Sequence, residues 1–180
     1  MLFAAALLQS CANAPAAEAP SSETESMASA ACVVAGPEVC FNAWDDNCNG
    51  AIDEGCGVDG GLVQFAIAWE SKGADVDLDV RDPTGALVEV GRTAPSGLTR
   101  DRDCPGKDDG CGRLRYENVY LTDDSKLMRG NYRVTIRLEH AANWDDHVEV
   151  SLSARLVNRQ FRKRVRLEHD NDAAEFTLSL

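Results

Sequence analysis

The first 71 residues of this 180-residue chain contain no lysine or arginine against ten acidic residues, so most of the net charge of -12 sits at the front. A segment of that sign repels phosphate backbones and anionic headgroups, and nucleic acid is not an expected partner. Histidine is scarce as well. His140, His147 and His169 are the three present, and none stands in the H-E-x-x-H spacing that brings two imidazoles to one zinc. There is no G-x-S-x-G elbow and no cysteine in a nucleophile's setting, so no catalytic residue and no enzymatic activity are expected. Paired C-x-x-C spacing, which structural zinc favours, is also missing. No apolar run is long enough to cross a bilayer as a helix, and no long stretch keeps a 3.6-residue period. With 44% hydrophobic residues, the chain has material for one β-rich core and a small module beside it.

What is present centres on Cys40 to Cys56, C-F-N-A-W-D-D-N-C-N-G-A-I-D-E-G-C. Within it Asp45, Asn47 and Asn49 alternate as oxygen donors and Gly50 permits a sharp turn. Ala51 offers a carbonyl, Ile52 packs inward, and Asp53 and Glu54 supply the last oxygens. This is the D-x-[DN]-x-[DN]-G-x-[IV]-[DE] order of a calcium loop, which serves a hard cation that takes six to eight oxygens. The competing reading is an ion-free turn, since Asn and Asp cap turns through their own backbone hydrogen bonds. Cys56 stands where a helix-flanked calcium loop would have a bidentate Glu, and with so few carboxylates a dissociation constant on the order of 0.1–1 mM is expected. Copper would need His, Met or free thiolate, and the loop has neither His nor Met. Trp44 is expected to cover the ion loop.

Cys32, Cys40, Cys48, Cys56, Cys104 and Cys111 are expected to form three disulfides in an oxidising compartment. Cys104 and Cys111 close the Pro105 to Gly110 loop on themselves. The four in the module allow three connectivities. Residues 32–57 have too few apolar groups to fold without these crosslinks and their ion. Residues 12–31, rich in Ala, Ser, Pro and Glu, read as a flexible tether, and Val58 to Gly61 as a hinge. Ahead of the tether, Leu8-Gln9-Ser10-Cys11 resembles the lipobox of bacterial lipoproteins, although no basic residue precedes it. The resemblance implies a signal peptide at 1–10, lipid on Cys11, and, with Ala12 next, an outer-membrane or cell-surface location with the membrane touched through the lipid alone.

From residue 62 to 180 the pattern is that of short strands: Leu62 to Trp69, Asp75 to Val80, Ala86 to Val90 as the hairpin partner of the second, Tyr116 to Leu121, Asn131 to Glu139, His147 to Val157, Lys163 to His169 and Ala174 to Leu180. Asp123 to Arg129 is expected to form one helical turn, and Asp82-Pro-Thr-Gly85 a tight turn. Trp144 to His147 reads as a loop entering a strand. The fold class is all-β, an antiparallel β-sandwich behind a disulfide-rich module. The order Trp69, A-D-V-D-L-D-V, D-P-T-G, Glu117-Asn118 and R-G-N-Y-R-V-T-I resembles secreted bacterial sandwich domains of the pre-peptidase C-terminal kind, with Asp79 where those carry His. The loop at 40–56 resembles the MopE-type metal-binding motif of bacterial surface proteins. Both resemblances imply an extracellular protein.

Asp75, Asp77 and Asp79 share one strand face, roughly 7 Å between neighbours. Two readings stand: cross-strand pairing with arginines, for which Arg100, Arg102, Arg113 and Arg115 are candidates, or a second calcium site shared with Asp101 or Asp103. Trp69 and Tyr132 are expected in the core, and the basic run Arg159 to Arg166 on a solvated face. The expected function is calcium binding by a surface-anchored lipoprotein with a structural or binding role. The alternative is a carbohydrate-binding or adhesion module acting through the sandwich, with a glycan or surface protein as partner.

Overall fold

The computed structural model describes Met27, Ser29 and residues 31–105, 111, 113–143 and 147–180. The expected signal peptide, Cys11, the tether up to residue 26, the loop 106–110 and Trp144 to Asp146 lie outside the described residues. The strands are β1 (Val63–Trp69), β2 (Asp75–Arg81), β3 (Leu98–Arg100), β4 (Tyr116–Leu121), β5 (Asn131–His140), β6 (Val148–Leu156), β7 (Arg159–Leu167) and β8 (Ala173–Ser179). They form two antiparallel sheets, ordered β3-β4-β1-β6-β7 and β2-β5-β8. Alternation builds the core, because every second side chain of a strand points to one face. Val63, Phe65, Ile67 and Trp69 of β1 oppose Val76, Leu78, Val80, Val134, Ile136, Leu138, Phe176 and Leu178 of the other sheet, all in one buried cluster. Tyr132 lies in it too, its ring tilted against Phe65 with centroids 5.7 Å apart.

Two strand expectations need correction. Residues 86–90 return antiparallel only on the end of β2, with Asp82 N on the Ala86 carbonyl and Val88 N on the Val80 carbonyl (both 2.9 Å), and form no strand; the continuous partner of β2 is β5, in register from Asp75↔His140 to Arg81↔Arg133. Leu87 and Val90 make only isolated bridges, to Arg81 and Arg100. The turn holds the segment back, since Asp82 Oδ1 accepts from Thr84 N (2.8 Å) and Ala86 N (3.1 Å) while Oδ2 accepts from Ser96 N (3.3 Å). The short strand β3 replaces it on the opposite sheet. β7 begins four residues before the expected Lys163, its polar opening carried by pairing with β6 from Leu156↔Arg159 onward. Asp123 to Arg129 contains the expected turn, a 3₁₀ segment Asp124–Lys126 capped by Asp123.

Two segments read as loose are seated. Met27 is buried in the core cluster, and Ser29 bridges Phe161 at the free edge of β7. At the Val58 to Gly61 segment, Asp59 accepts from Asn118 Nδ2 through its carbonyl (2.7 Å) and from the Tyr120 hydroxyl through Oδ2 (3.0 Å). Gly61 lies so close to β4 that an added Cβ would meet the Leu121 carbonyl oxygen at 2.2 Å. That contact requires glycine and packs the segment against β4.

β1 departs from alternation for a reason that places the site. All seven of its residues are buried, because its outward residues Gln64, Ala66 and Ala68 lie beneath the cysteine-rich module. Register puts Ala66 beside Asn118 and Ser153, and Ala68 beside Tyr116 and Ser151. Ala66, Ala68, Ser151 and Ser153 form a floor of small side chains onto which an irregular backbone can pack closely.

Candidate functional site

The module, residues 32–57, is pinned by interleaved disulfides, Cys32–Cys48 and Cys40–Cys56, each closing a separation of 16 residues, and a third, Cys104–Cys111, closes the distant loop as expected. Its few apolar residues complete a second small core: Ala43 and Ile52 pack on Ala66, Ala68 and Tyr116, with Phe41 edge-on to Tyr116 at 5.7 Å. Four module residues other than glycine, Phe41, Ala43, Cys48 and Asp53, hold positive φ. Such conformations cost of order 1–3 kcal/mol each and persist only where surrounding contacts enforce them.

Those contacts are mostly carboxylates accepting backbone N–H groups. Asp45 is buried; Oδ1 accepts from Asn49 N (3.1 Å) and Oδ2 from Gly50 N (2.9 Å) and from Gln160 Nε2 of β7. Asn47 Oδ1 accepts from Asn49 N (3.0 Å) and Asn49 Oδ1 from Ala51 N (2.8 Å). Asn47 Nδ2 (2.5 Å) and Asn49 Nδ2 both donate to Glu54 Oε1, while Glu54 Oε2 is buried and has no hydrogen-bond partner among the described residues. Asn47, Asn49 and Glu54 are thus brought together above a turn that Asp45 organises.

Asp53 is placed elsewhere. It is fully buried, and Oδ1 and Oδ2 accept from Asn42 N (3.2 Å) and Ala43 N (3.0 Å). Burial pushes its carboxyl up, against the pull of those N–H groups. Glu38 was not singled out in the sequence. It accepts from Asp53 N (2.9 Å) and Asp46 N (3.2 Å) and ties the two arms of the loop together. Its carboxyl is raised by burial and, further, by the charge of Glu54. The module grips the sheet through Gln64 Nε2 on the Ile52 carbonyl (3.3 Å), Trp44 Nε1 on Ser151 Oγ (3.1 Å), and Arg162, which donates to the Asp45 carbonyl and stacks 4.9 Å from the Trp44 ring.

The second candidate, Asp75, Asp77 and Asp79, lies half-buried on the outer side of β2. Among the described residues the one trio of acids with oxygens within 4.8 Å of one another is Asp77, Asp103 and Glu117. A guanidinium stands at its centre: Arg100 Nη2 is 2.6 Å from Glu117, 3.6 Å from Asp77 and 3.7 Å from Asp103, and Nη1 is 3.9 Å from Asp79. Arg137, across the β2–β5 ladder, holds Asp79 at 2.9 Å. Arg100 thus occupies the position a metal would need, and Asp77 and Asp79 make arginine pairs, whereas Asp75 Oδ1 is buried without a hydrogen-bond partner among the described residues. Of the other expected bases, Arg102 pairs with Asp101 (3.1 Å), and Arg115 donates to the Trp69 carbonyl (3.1 Å) and to the carbonyl of Arg113 (3.1 Å).

Glu117 is the residue the sequence reading missed here. It is fully buried, accepts from Leu78 N (2.7 Å) and Cys104 N (3.1 Å), and so closes the open edge of β2 against the opposite sheet. Burial pushes Glu117 up to about 8 and Asp77 up to about 6, with Arg100 opposing both. Both folded values lie above the unfolded ones, so the folded protein keeps protons that the unfolded chain has released. Stability is therefore expected to fall as pH rises from about 5 to 8. Melting temperatures across that range measure the slope, and Glu117→Gln should flatten it.

Comparison with protein-family models, with curated proteins and with solved structures returns no match to this chain.

Proposed function

We propose that the chain is a calcium-dependent, surface-anchored lipoprotein whose role is structural or binding, with residues 45–54 as the ion site. The observation that carries the reading is the meeting of Asn47, Asn49 and Glu54, with Glu54 Oε2 buried and, among the described residues, unpartnered. A buried carboxylate oxygen without a donor is costly unless a cation or proton reaches it. The donor set fits calcium in kind: oxygens from Asp45, Asn47, Asn49 and Glu54 and the Ala51 carbonyl, with no nitrogen or sulfur. Each Asn Oδ1 that accepts one N–H keeps a second lone pair. Asp53 serves this reading as an anchor of the loop. The ion would supply charge neutralisation among Asp45, Glu54 and Glu38 and hold the module to its sheet. The lipobox-like Leu8 to Cys11 and the MopE-type resemblance support a place outside the cell.

Calorimetric titration of the full chain tests this. Wild type should bind one calcium with a dissociation constant on the order of 0.1–1 mM, and Glu54→Gln or Asn47→Ala should weaken it at least tenfold while Asp75→Asn leaves it unchanged. Equal binding by wild type and Glu54→Gln, or none by wild type at 10 mM, would remove the loop as a metal site.

A further inference from the structure

Between the module and the outer face of β1, β6 and β7 lies a groove of about 800 Å³, open on one side. That volume is in the range of small-ligand sites, roughly 300–1,000 Å³. One wall is the module's, with Phe41, Trp44 and Asp46; the other is the sheet's, with Glu149, Arg162 and Arg164. The register explains the gathering. Arg162 lies beside Ser153 and Arg164 beside Ser151, in the rows that run through Ala66 and Ala68. Small side chains in the middle of the sheet and long ones on β7 leave a trough bounded by the module.

The two arginines differ. Arg162 is spent on the structure, donating to the Asp45 carbonyl and to Cys32 Sγ (3.2 Å). Arg164 lies 5.8 Å from the Trp44 ring centroid, and the ion pairs of the neighbouring Glu149 and Glu168 among the described residues go to Arg166 and His147. A guanidinium stacked on an indole keeps its N–H fork free to take a planar anion in bidentate fashion. Asp46, Glu70 and Glu149 in the same groove repel a ligand carrying many negative charges, yet they suit one carrying hydroxyl donors. The half-buried indole of Trp44 offers an apolar surface of the kind a sugar ring's C–H face covers.

We infer that this groove binds a carboxylate-bearing sugar: a uronic acid unit of an oligosaccharide, its carboxylate on Arg164, its hydroxyls on Asp46 and Glu149, and its ring against Trp44. The inference deepens the binding role proposed above and rests on that reading only in taking the calcium module as one wall. Trp44 adjoins Asp45, and Arg162 holds both. Calcium and sugar should therefore strengthen each other's binding by the same factor, as linkage requires. Sugar binding in this arrangement needs the module, whereas a site on the sandwich alone would not.

The test is titration of the full chain with trimers of galacturonate, glucuronate and mannuronate, beside the methyl ester of each and triglutamate, at saturating calcium. The expected result is binding of at least one uronate trimer. Its methyl ester should bind at least tenfold more weakly, as should Arg164→Gln and Trp44→Ala, while the melting temperature and calcium titration of Arg164→Gln match wild type. Failure of all three trimers, equal binding by Arg164→Gln, or preference for triglutamate overturns the inference. Uronate binding that Glu54→Gln or chelator leaves intact keeps the groove and removes its link to calcium, so the two readings fail separately.

Discussion

Arg100→Leu should destabilise the protein by about 3–5 kcal/mol at pH 8, the cost of removing one partner from a buried ion pair. Arg100 is 7% exposed, and the three acids within 3.7 Å of its Nη2 include the fully buried Glu117. Without the guanidinium, Glu117, Asp77 and Asp103 face one another at the seam where β2 meets the opposite sheet. Chemical denaturation at several pH values measures the effect. The loss should shrink toward pH 5, where protonation relieves the repulsion, and adding Glu117→Gln should recover part of it because the amide oxygen still serves Leu78 N–H. A loss independent of pH would mean that Arg100 contributes packing and little charge.

The second large effect is expected from the module's crosslinks. Replacing both Cys40 and Cys56 by serine should cost about 3 kcal/mol by the loop-closure argument for a ring of this size. The cost should fall unevenly over the molecule. The module has Ala43, Ile52 and Phe41, with Val58 just after it, to pack on Ala66, Ala68 and Tyr116, whereas the sandwich has a separate and far larger core. Limited proteolysis should then cut within residues 33–57 at a rate at which β1 to β8 resist. Loss of both parts together would show that the sandwich depends on its cover over β1.

The sandwich was legible because its inner rows alternate: Val76, Leu78 and Val80 announce their strand, and Tyr132 to Leu138 announce β5. The 86–90 segment misled because its pattern is that of a strand while Asp82 draws the chain into a turn whose exit pairs with nothing continuous. The docking of the module was hidden, since it depends on side chains far apart in sequence, Gln160, Arg162 and Ser151 meeting Asp45 and Trp44. One signal was available: Gln64, Ala66 and Ala68 on the outward face of β1 are small or uncharged where a solvated face would carry charge. For the acidic loop, residue types and spacing gave its turn, and Asn47, Asn49 and Glu54 do gather. The inward fate of Asp53 could not be read, because backbone N–H groups compete with any cation for a carboxylate and leave no trace in composition. Glu117 was obscured likewise: a buried acid is recognisable only once its arginine is placed beside it.

Hydrogen exchange with residue resolution, in calcium and in chelator, tests the central claim most directly. The amides of Asn49, Gly50 and Ala51 bond to Asp45 and Asn49 side chains inside the loop. If calcium holds this loop, 10 mM calcium slows their exchange at least tenfold in wild type and leaves Glu54→Gln unchanged, with β1 and β6 amides unaffected in both. Identical exchange with and without calcium in the wild-type protein would contradict the account and leave the module a disulfide-pinned cover without an ion.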